Sequence, residues 1–357
     1  MRRIWILPFL LSLLVLSGCV EEGPEEIAPD PASARVPSEE SKEVMTSTEA
    51  KWYSVYFTYE DNVEANLVAF IDSAQDNIHA AIYDLDLQSV ADAIVNAHKR
   101  GVEVIVIMDD EQSERAVSLN KYLKDNGVLV ALDTSSGLMH NKVIVVDGVR
   151  VWTGSTNPTE NGVNKNNNNA IVIESEVIAE NYIVEIEEMY LQYQLGEAKT
   201  VKPTPHPVTE ICGVFVENYF APEDKVEDRI LEELDAASSS IYFMVFTFTS
   251  DPIEQKLIEK YNAGVDVRGI FEARQTGRYA AYDPMMEAGI PVIEDQNGYT
   301  MHHKVFIIDN STTITGSFNP TKAAETRNDE NIIIVHDAGF TQEYLDEFKK
   351  LWSEWET

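Results

Sequence analysis

The chain has 357 residues, a formal net charge of −34 and two cysteines. That length suffices for two domains, each with its own core, and two cysteines exclude a disulfide scaffold. The acidic balance excludes a broad basic surface that binds nucleic acid by displacing counterions, leaving room only for a local positive cleft.

Taken in chain order, Arg2 and Arg3 precede a short apolar run, Ile4 to Leu16, that ends in Leu16-Ser17-Gly18-Cys19. The run is too short and wrongly flanked for a membrane span. It is similar to a bacterial-type lipoprotein signal, residues 1–18. That resemblance implies cleavage before Cys19, a lipid on Cys19, and an exported domain held at the outer face of a membrane. Residues 19–50 are acidic and contain Pro24, Pro29, Pro31 and Pro37, the composition of a disordered tether. The other cysteine, Cys212, lies between Ile211 and Gly213 at the start of a predicted strand. It is expected to be a buried small hydrophobe.

A first domain is expected over residues 51–195. Ser54–Asp61, Asn77–Tyr83 and Gly101–Ile107 read as strands, and they recur as Gly213–Asp224, Ser240–Phe246 and Gly264–Ile270 in a second domain, 211–357. Amphipathic segments, Ser89–Arg100 and Asp251–Ala263, separate the last two strands of each set. An acidic helix closes each half, roughly Ala179–Gln194 and Phe340–Trp355. Residues 196–210 carry Pro203, Pro205 and Pro207 and read as a linker. Strands alternating with helices predict the α/β class: two tandem domains, each a mostly parallel sheet flanked by helices.

One motif occurs twice. His140-Asn141-Lys142 is followed by four apolar residues, Asp147, six residues and Gly154-Ser155-Thr156-Asn157; His302-His303-Lys304, Asp309 and Gly316-Ser317-Phe318-Asn319 repeat it 162 positions later. Val143–Val146 and Val305–Ile308 read as buried strands, so each His projects with the Lys two residues on. Lys142 and Lys304 supply fixed positive charge for phosphate oxygens. Ser155, Ser317, Asn157 and Asn319 add neutral donors. Gly154 and Gly316 mark close backbone approach or an unusual conformation. A neutral imidazole can attack phosphorus while a protonated one gives its proton to the leaving oxygen. Asp147 and Asp309 sit at strand ends, where a carboxylate commonly fixes a turn. The run Asn166–Asn169 reads as a polar loop.

These residues resemble the phospholipase D superfamily, whose members carry a duplicated His-x-Lys-x4-Asp motif followed by Gly-Ser-x-Asn. The resemblance covers nearly all of residues 52–355, and Thr315–Asn331 is especially similar to the small bacterial endonuclease branch, which works as a homodimer. This chain resembles two such units fused, which implies a monomer whose halves pack face to face around one shared active site. It further implies that His140 is the nucleophile, His302 the general acid, and Glu330 the acid that orients a motif histidine. The matching first-half position is Asn168, with Glu160 and Glu174 as other candidate carboxylates. An amide cannot favour imidazole protonation as a carboxylate does, so the expected pairing is Glu330 with His302, leaving His140 neutral. No Cys/His cluster or calcium-loop pattern is present, so no metal or cofactor is expected and activity should survive chelator. Phospholipid is the substrate favoured by the anchor and the missing basic surface. Nucleic acid is favoured by the Phe318–Asn331 stretch, and phosphatidyl transfer follows if an alcohol replaces water. Intact motifs in both halves weigh against a noncatalytic binding protein.

Overall fold

The computed structural model describes residues 51–192, 195–196 and 204–356. The expected signal, Cys19, the tether and residues 197–203 of the linker lie outside them. Among the described residues no helix is long and apolar enough to cross a membrane.

The first half contains β1 (Tyr53–Phe57), β2 (Asn77–Ile82), β3 (Glu103–Met108), β4 (Leu129–Leu132), β5 (Lys142–Val146), β6 (Arg150–Gly154) and β7 (Asn169–Glu174). The second contains β8 (Val208–Ile211), β9 (Val214–Ala221), β10 (Ser240–Val245), β11 (Asp266–Phe271), β12 (Val292–Glu294), β13 (Lys304–Ile308), β14 (Thr312–Gly316) and β15 (Glu330–Val335). Their sheets run β1-β7-β6-β5-β2-β3-β4 and β12-β11-β10-β13-β14-β15-β9-β8. Only β2-β3-β4 and β10-β11-β12 are parallel. The other pairings are antiparallel, so both sheets are mixed rather than mostly parallel. Helices Gln88–Arg100 and Asp251–Asn262 carry the chain between β2 and β3 and between β10 and β11. The motif strands instead turn back through short hairpins into β6 and β14, and a hairpin needs no crossover helix.

Residues 208–210, read as linker from the sequence, form β8 together with Ile211. Ile211 pairs with Val214, leaving Cys212 and Gly213 as a two-residue turn with φ +50° and +81°. Two positive φ values are what a type I′ hairpin requires. Cys212 is therefore exposed at a turn, not buried.

Three cores result. Val143 and Val145 of β5 share one cluster with Val305 and Ile307 of β13, and with Tyr182 and Tyr344 of the closing helices Glu176–Gln192 and Ala338–Trp355. Ile144 and Val146 face a second cluster, while Phe306 and Ile308 face a third. Alternate side chains of one strand thus fill two cores, which explains why both motif strands are continuous apolar runs. The shared cluster holds the halves together and brings the two motifs to one place.

Candidate active site

Each motif strand is entered from a segment that reaches into the other half. The His140 N–H donates to the Asp329 carbonyl and the His302 N–H to the Asn167 carbonyl, both at 2.9 Å. Parallel bridges join Met139 to Asp329 and Met301 to Asn167. Asp109 accepts from the Met139 N–H (3.2 Å) and Glu272 from the Met301 N–H (2.7 Å), so the acid just past β3 or β11 braces the residue before each histidine. Matching contacts recur 162 or 163 residues apart, which gives the site a pseudo-twofold symmetry. His140, Lys142, His302 and Lys304 are all buried, with 2–8% of their surface exposed.

The orienting groups cross that axis, and this corrects the pairing expected from the sequence. Glu330, from the second half, accepts from His140 Nδ1 at 2.7 Å. Asn168, from the first half, accepts from His302 Nδ1 at 2.8 Å. Both partners sit where one half's last strand begins, and those segments are the ones that cross between halves. Glu160 and Glu174 are exposed and substitute for neither.

The electrostatics follow. Burial would raise the Glu330 carboxyl, but His140, Lys142 and Ser317 outweigh it and hold it below the usual carboxylate range. Burial lowers His140 to about 4 despite the Glu330 charge. The pair is thus an imidazole and a carboxylate, with Nδ1–H donated and the Nε2 lone pair free. Burial, Lys304, Lys142 and His140 push His302 well below its ordinary value. Burial lowers Lys142 to about 7, against the pull of Glu330, Asp109 and Asp84. Burial and the Lys142 charge take Lys304 well below the lysine range. Desolvation of two neighbouring cationic groups outweighs the pull of Glu330 on both, and a bound phosphodiester would oppose it. Each ammonium donates to the carbonyl of its own motif histidine, Lys304 at 2.7 Å, and keeps further N–H groups. Lys142 lies over the Tyr83 ring and Lys304 over Phe246.

Ser155 and Ser317 do not serve as phosphate donors, a second correction. Ser317 Oγ donates to Glu330 at 2.6 Å and Ser155 Oγ to Asn168 at 2.9 Å. A hydroxyl has one proton to give, and here it orients the group behind each histidine. The glycines before them permit the approach: a Cβ on Gly154 would lie 2.5 Å from the Asn169 carbonyl oxygen, and one on Gly316 2.2 Å from that of Asn331. Asn157 and Asn319 each keep a buried amide oxygen without a partner among the described residues. Asp147 and Asp309 point away from the site. Asp147 accepts from the backbone of Gln75, Asp76 and Asn77, and Asp309 from that of Ser238, Ser239 and Ser240.

The residues missed from the sequence lie in the Asn166–Asn169 run and its counterpart. Asn167, Asn168 and Asn169 are buried, not a solvated loop. Asn331 donates to Asn141 (2.6 Å) and accepts from Thr153 (2.9 Å) and Tyr182 (3.0 Å), all in the other half. Asn169 does the reverse, donating to Thr315 (2.8 Å) and Tyr344 (3.0 Å), with His303 Nδ1 3.1 Å from its Oδ1. Asn169/Asn331, Thr153/Thr315 and Tyr182/Tyr344 are identical across the repeat, a signal that the sequence held.

A family described as cardiolipin synthase, PLD-like domain, matches twice, at residues 67–190 and 230–352. The mitochondrial cardiolipin hydrolase of Chlamydomonas reinhardtii is 37% identical over 125 residues, 35% of this chain and 56% of that protein. The match therefore spans little more than half of that relative's length. Nuc, a phospholipase D family member from Salmonella typhimurium, is 36% identical, with 39% of this chain and 93% of that one covered and a TM-score of 0.37. The phosphatidylserine synthase of Haemophilus influenzae Rd KW20 is 12% identical but aligns over 83% of this chain and 85% of its own with a TM-score of 0.64, a likeness of fold. With both halves matched, the chain belongs to the cardiolipin synthase, PLD-like domain family.

Proposed function

We propose that the protein is a phosphodiesterase of the phospholipase D type, which removes head groups from phospholipids through a phosphohistidine. The observation that carries this is the crossed pair of imidazoles: one is backed by a carboxylate, the other by an amide, and the charges of both lysines act on both. In the proposed first step His140 Nε2 attacks phosphorus. The alcohol oxygen departs opposite, taking a proton from His302 Nε2. Glu330 balances the positive charge that the phosphorylated imidazole acquires. Lys142, Lys304, Asn157 and Asn319 hold the non-bridging oxygens as charge grows. Water then gives a proton to His302, attacks phosphorus and releases His140. No step calls on a metal.

Phospholipid is favoured over nucleic acid by the chain's strong acidity, which would repel a polyanion. A lipid on Cys19 would add to this by holding the domain at a bilayer; incorporation of radiolabelled palmitate, abolished by Cys19→Ser, is expected. Cleavage of nucleic acid is the second reading, carried by the similarity of Thr315–Asn331 to the small endonuclease branch. Transfer to an alcohol in place of water uses the same intermediate.

The detergent-solubilised full chain, in chelator, is expected to release head groups from phosphatidylcholine, phosphatidylethanolamine or cardiolipin vesicles. The His140→Ala and His302→Ala proteins should not. Cutting of DNA or RNA with the same mutant pattern and no lipid turnover would replace the first reading with the second. A folded wild-type protein inert on both would end both.

A further inference from the structure

The far end of the second sheet carries a cluster built like a metal centre. Glu217 of β9, Glu233 of the helix Val226–Ala236 and His336, just past β15, each offer one ligand atom, and these atoms lie within 4.8 Å of one another. All three side chains are half-buried. The strand register explains the meeting. The His336 N–H donates to the Phe215 carbonyl at 3.0 Å, and side chains two apart on a strand, such as those of residues 215, 217 and 219, point the same way. Tyr219 on that face packs with Val226, Ile230 and Leu234 of the helix, which brings Glu233 over the sheet.

Two of the three groups are already oriented from behind. His336 Nε2 lies 2.8 Å from Glu217 Oε1, and the other ring nitrogen, Nδ1, lies 3.2 Å from Thr312 Oγ1. Glu217 Oε2 accepts from the Tyr219 hydroxyl at 2.6 Å. Ligating histidines and carboxylates are held in this way by partners on their far atoms. Glu233 makes no hydrogen bond or ion pair among the described residues, although Glu217 and His336 are its neighbours. The other charged groups nearby are Arg229 and Glu232, which pair with each other at 2.8 Å; Arg229 also lies over the Tyr219 ring.

Neither the fold nor the reaction calls for this set. The repeat places Ser54, Phe70 and Glu174 at the corresponding first-half positions, with Arg150 in place of Thr312. There Arg150 lies over the Phe70 ring, so the same place is packed without a ligand set. β15 begins at Glu330, and six residues at about 3.3 Å each set His336 about 20 Å from that acid.

We propose that Glu217, Glu233 and His336 bind one divalent ion of the zinc type, which fastens β9, β15 and the helix Val226–Ala236 to one another. One imidazole and two carboxylates suit such an ion, with a fourth position for water. Ligands about 2 Å from a tetrahedral ion lie about 3.3 Å from each other, so Glu233, the unpaired member, has only to swing inward. No step of the proposed reaction reaches this ion. The inference therefore stands apart from the phosphodiesterase reading and agrees with turnover in chelator.

The test is a titration of the detergent-solubilised full chain, first stripped with chelator. Zinc binding is followed by calorimetry and cobalt binding by visible absorption. One ion per chain is expected, with the cobalt spectrum of a four-coordinate site and no thiolate band from Cys212. Calcium and magnesium, which prefer all-oxygen sites, should not displace it. Thr312→Val, which touches only the far nitrogen of the ring, should weaken binding about tenfold, and His336→Ala and Glu233→Gln should weaken it further. Excess zinc should raise the Tm of the wild-type protein by a few degrees and leave that of His336→Ala in place. Circular dichroism of the stripped variants, matching the wild type, separates a lost ligand from a lost fold. Absence of a stoichiometric ion would overturn the proposal. So would binding of unchanged strength in both His336→Ala and Glu233→Gln, which would move the ion to another acidic group such as Asp109, Asp110 and Asp133.

Discussion

The His302→Ala protein, given bis(p-nitrophenyl) phosphate, is expected to release about one p-nitrophenol per site in a burst and then stall with the phosphoryl group on a histidine. The activated leaving group departs as an anion and needs no acid, so the first step survives. The second step needs a base to take a proton from water, and that base is gone. Steady-state turnover should fall at least about a thousandfold. The adduct should be acid-labile, alkali-stable and located on His140 by mass spectrometry. His140→Ala should show neither burst nor adduct. The structure adds a reason beyond the family's usual order: only His140 is backed by a carboxylate, Glu330 at 2.7 Å. A phosphorylated imidazole that still carries Nδ1–H is a cation, and a buried cation needs a counter-charge. An adduct on His302 in the His140→Ala protein would reverse the two roles.

What the sequence disclosed and what it hid divide along a physical line. Local pattern was legible. The apolar runs after Lys142 and Lys304 form β5 and β13, the repeated segments contain strands in both halves, and each half closes with a helix within a few residues of the acidic segment expected. Each of these depends on residues close together in the chain. Partner choice across the axis was not legible. Glu330 lies nearer in sequence to His302 than to His140, yet the fold pairs it with a residue 190 positions away, because the segment before β15 crosses into the first half. Ser155 and Ser317 have the chemistry of phosphate donors. Only the packing of β7 and β15 against Gly154 and Gly316 reveals that their protons are already committed. The sheet type failed for a related reason, since helix–strand alternation describes β2 to β4 and says nothing of the hairpins that follow.

The alkaline limb of activity should respond to the amide behind the acid. Burial keeps both histidines neutral near pH 7, and Lys142, lowered to about 7, begins to lose its charge there as well. His302 must carry a proton to act as the acid, so the substrate anion has to bring that proton in by offsetting the two lysines. Binding of tungstate, a phosphate mimic, is therefore expected to take up protons at pH 8, as seen by calorimetry in buffers of different ionisation heat. For the same reason kcat should fall as pH rises far enough for His302 in the complex to lose that proton. Asn168→Asp places a carboxylate against His302 Nδ1. A negative neighbour favours the imidazolium, so the pKa rises, the proton is retained to higher pH, and the falling limb moves up by about one unit or more. The Gly162 carbonyl loses the Asn168 donor it has at 2.9 Å, which lowers stability without changing the sign of that shift. Glu330→Gln acts on the other histidine. It should reduce kcat by about a hundredfold or more, through loss of the charge behind the phosphorylated imidazole, and leave the falling limb in place. A limb that stays put or moves down in Asn168→Asp would mean that His302 is not the group whose protonation limits the rate.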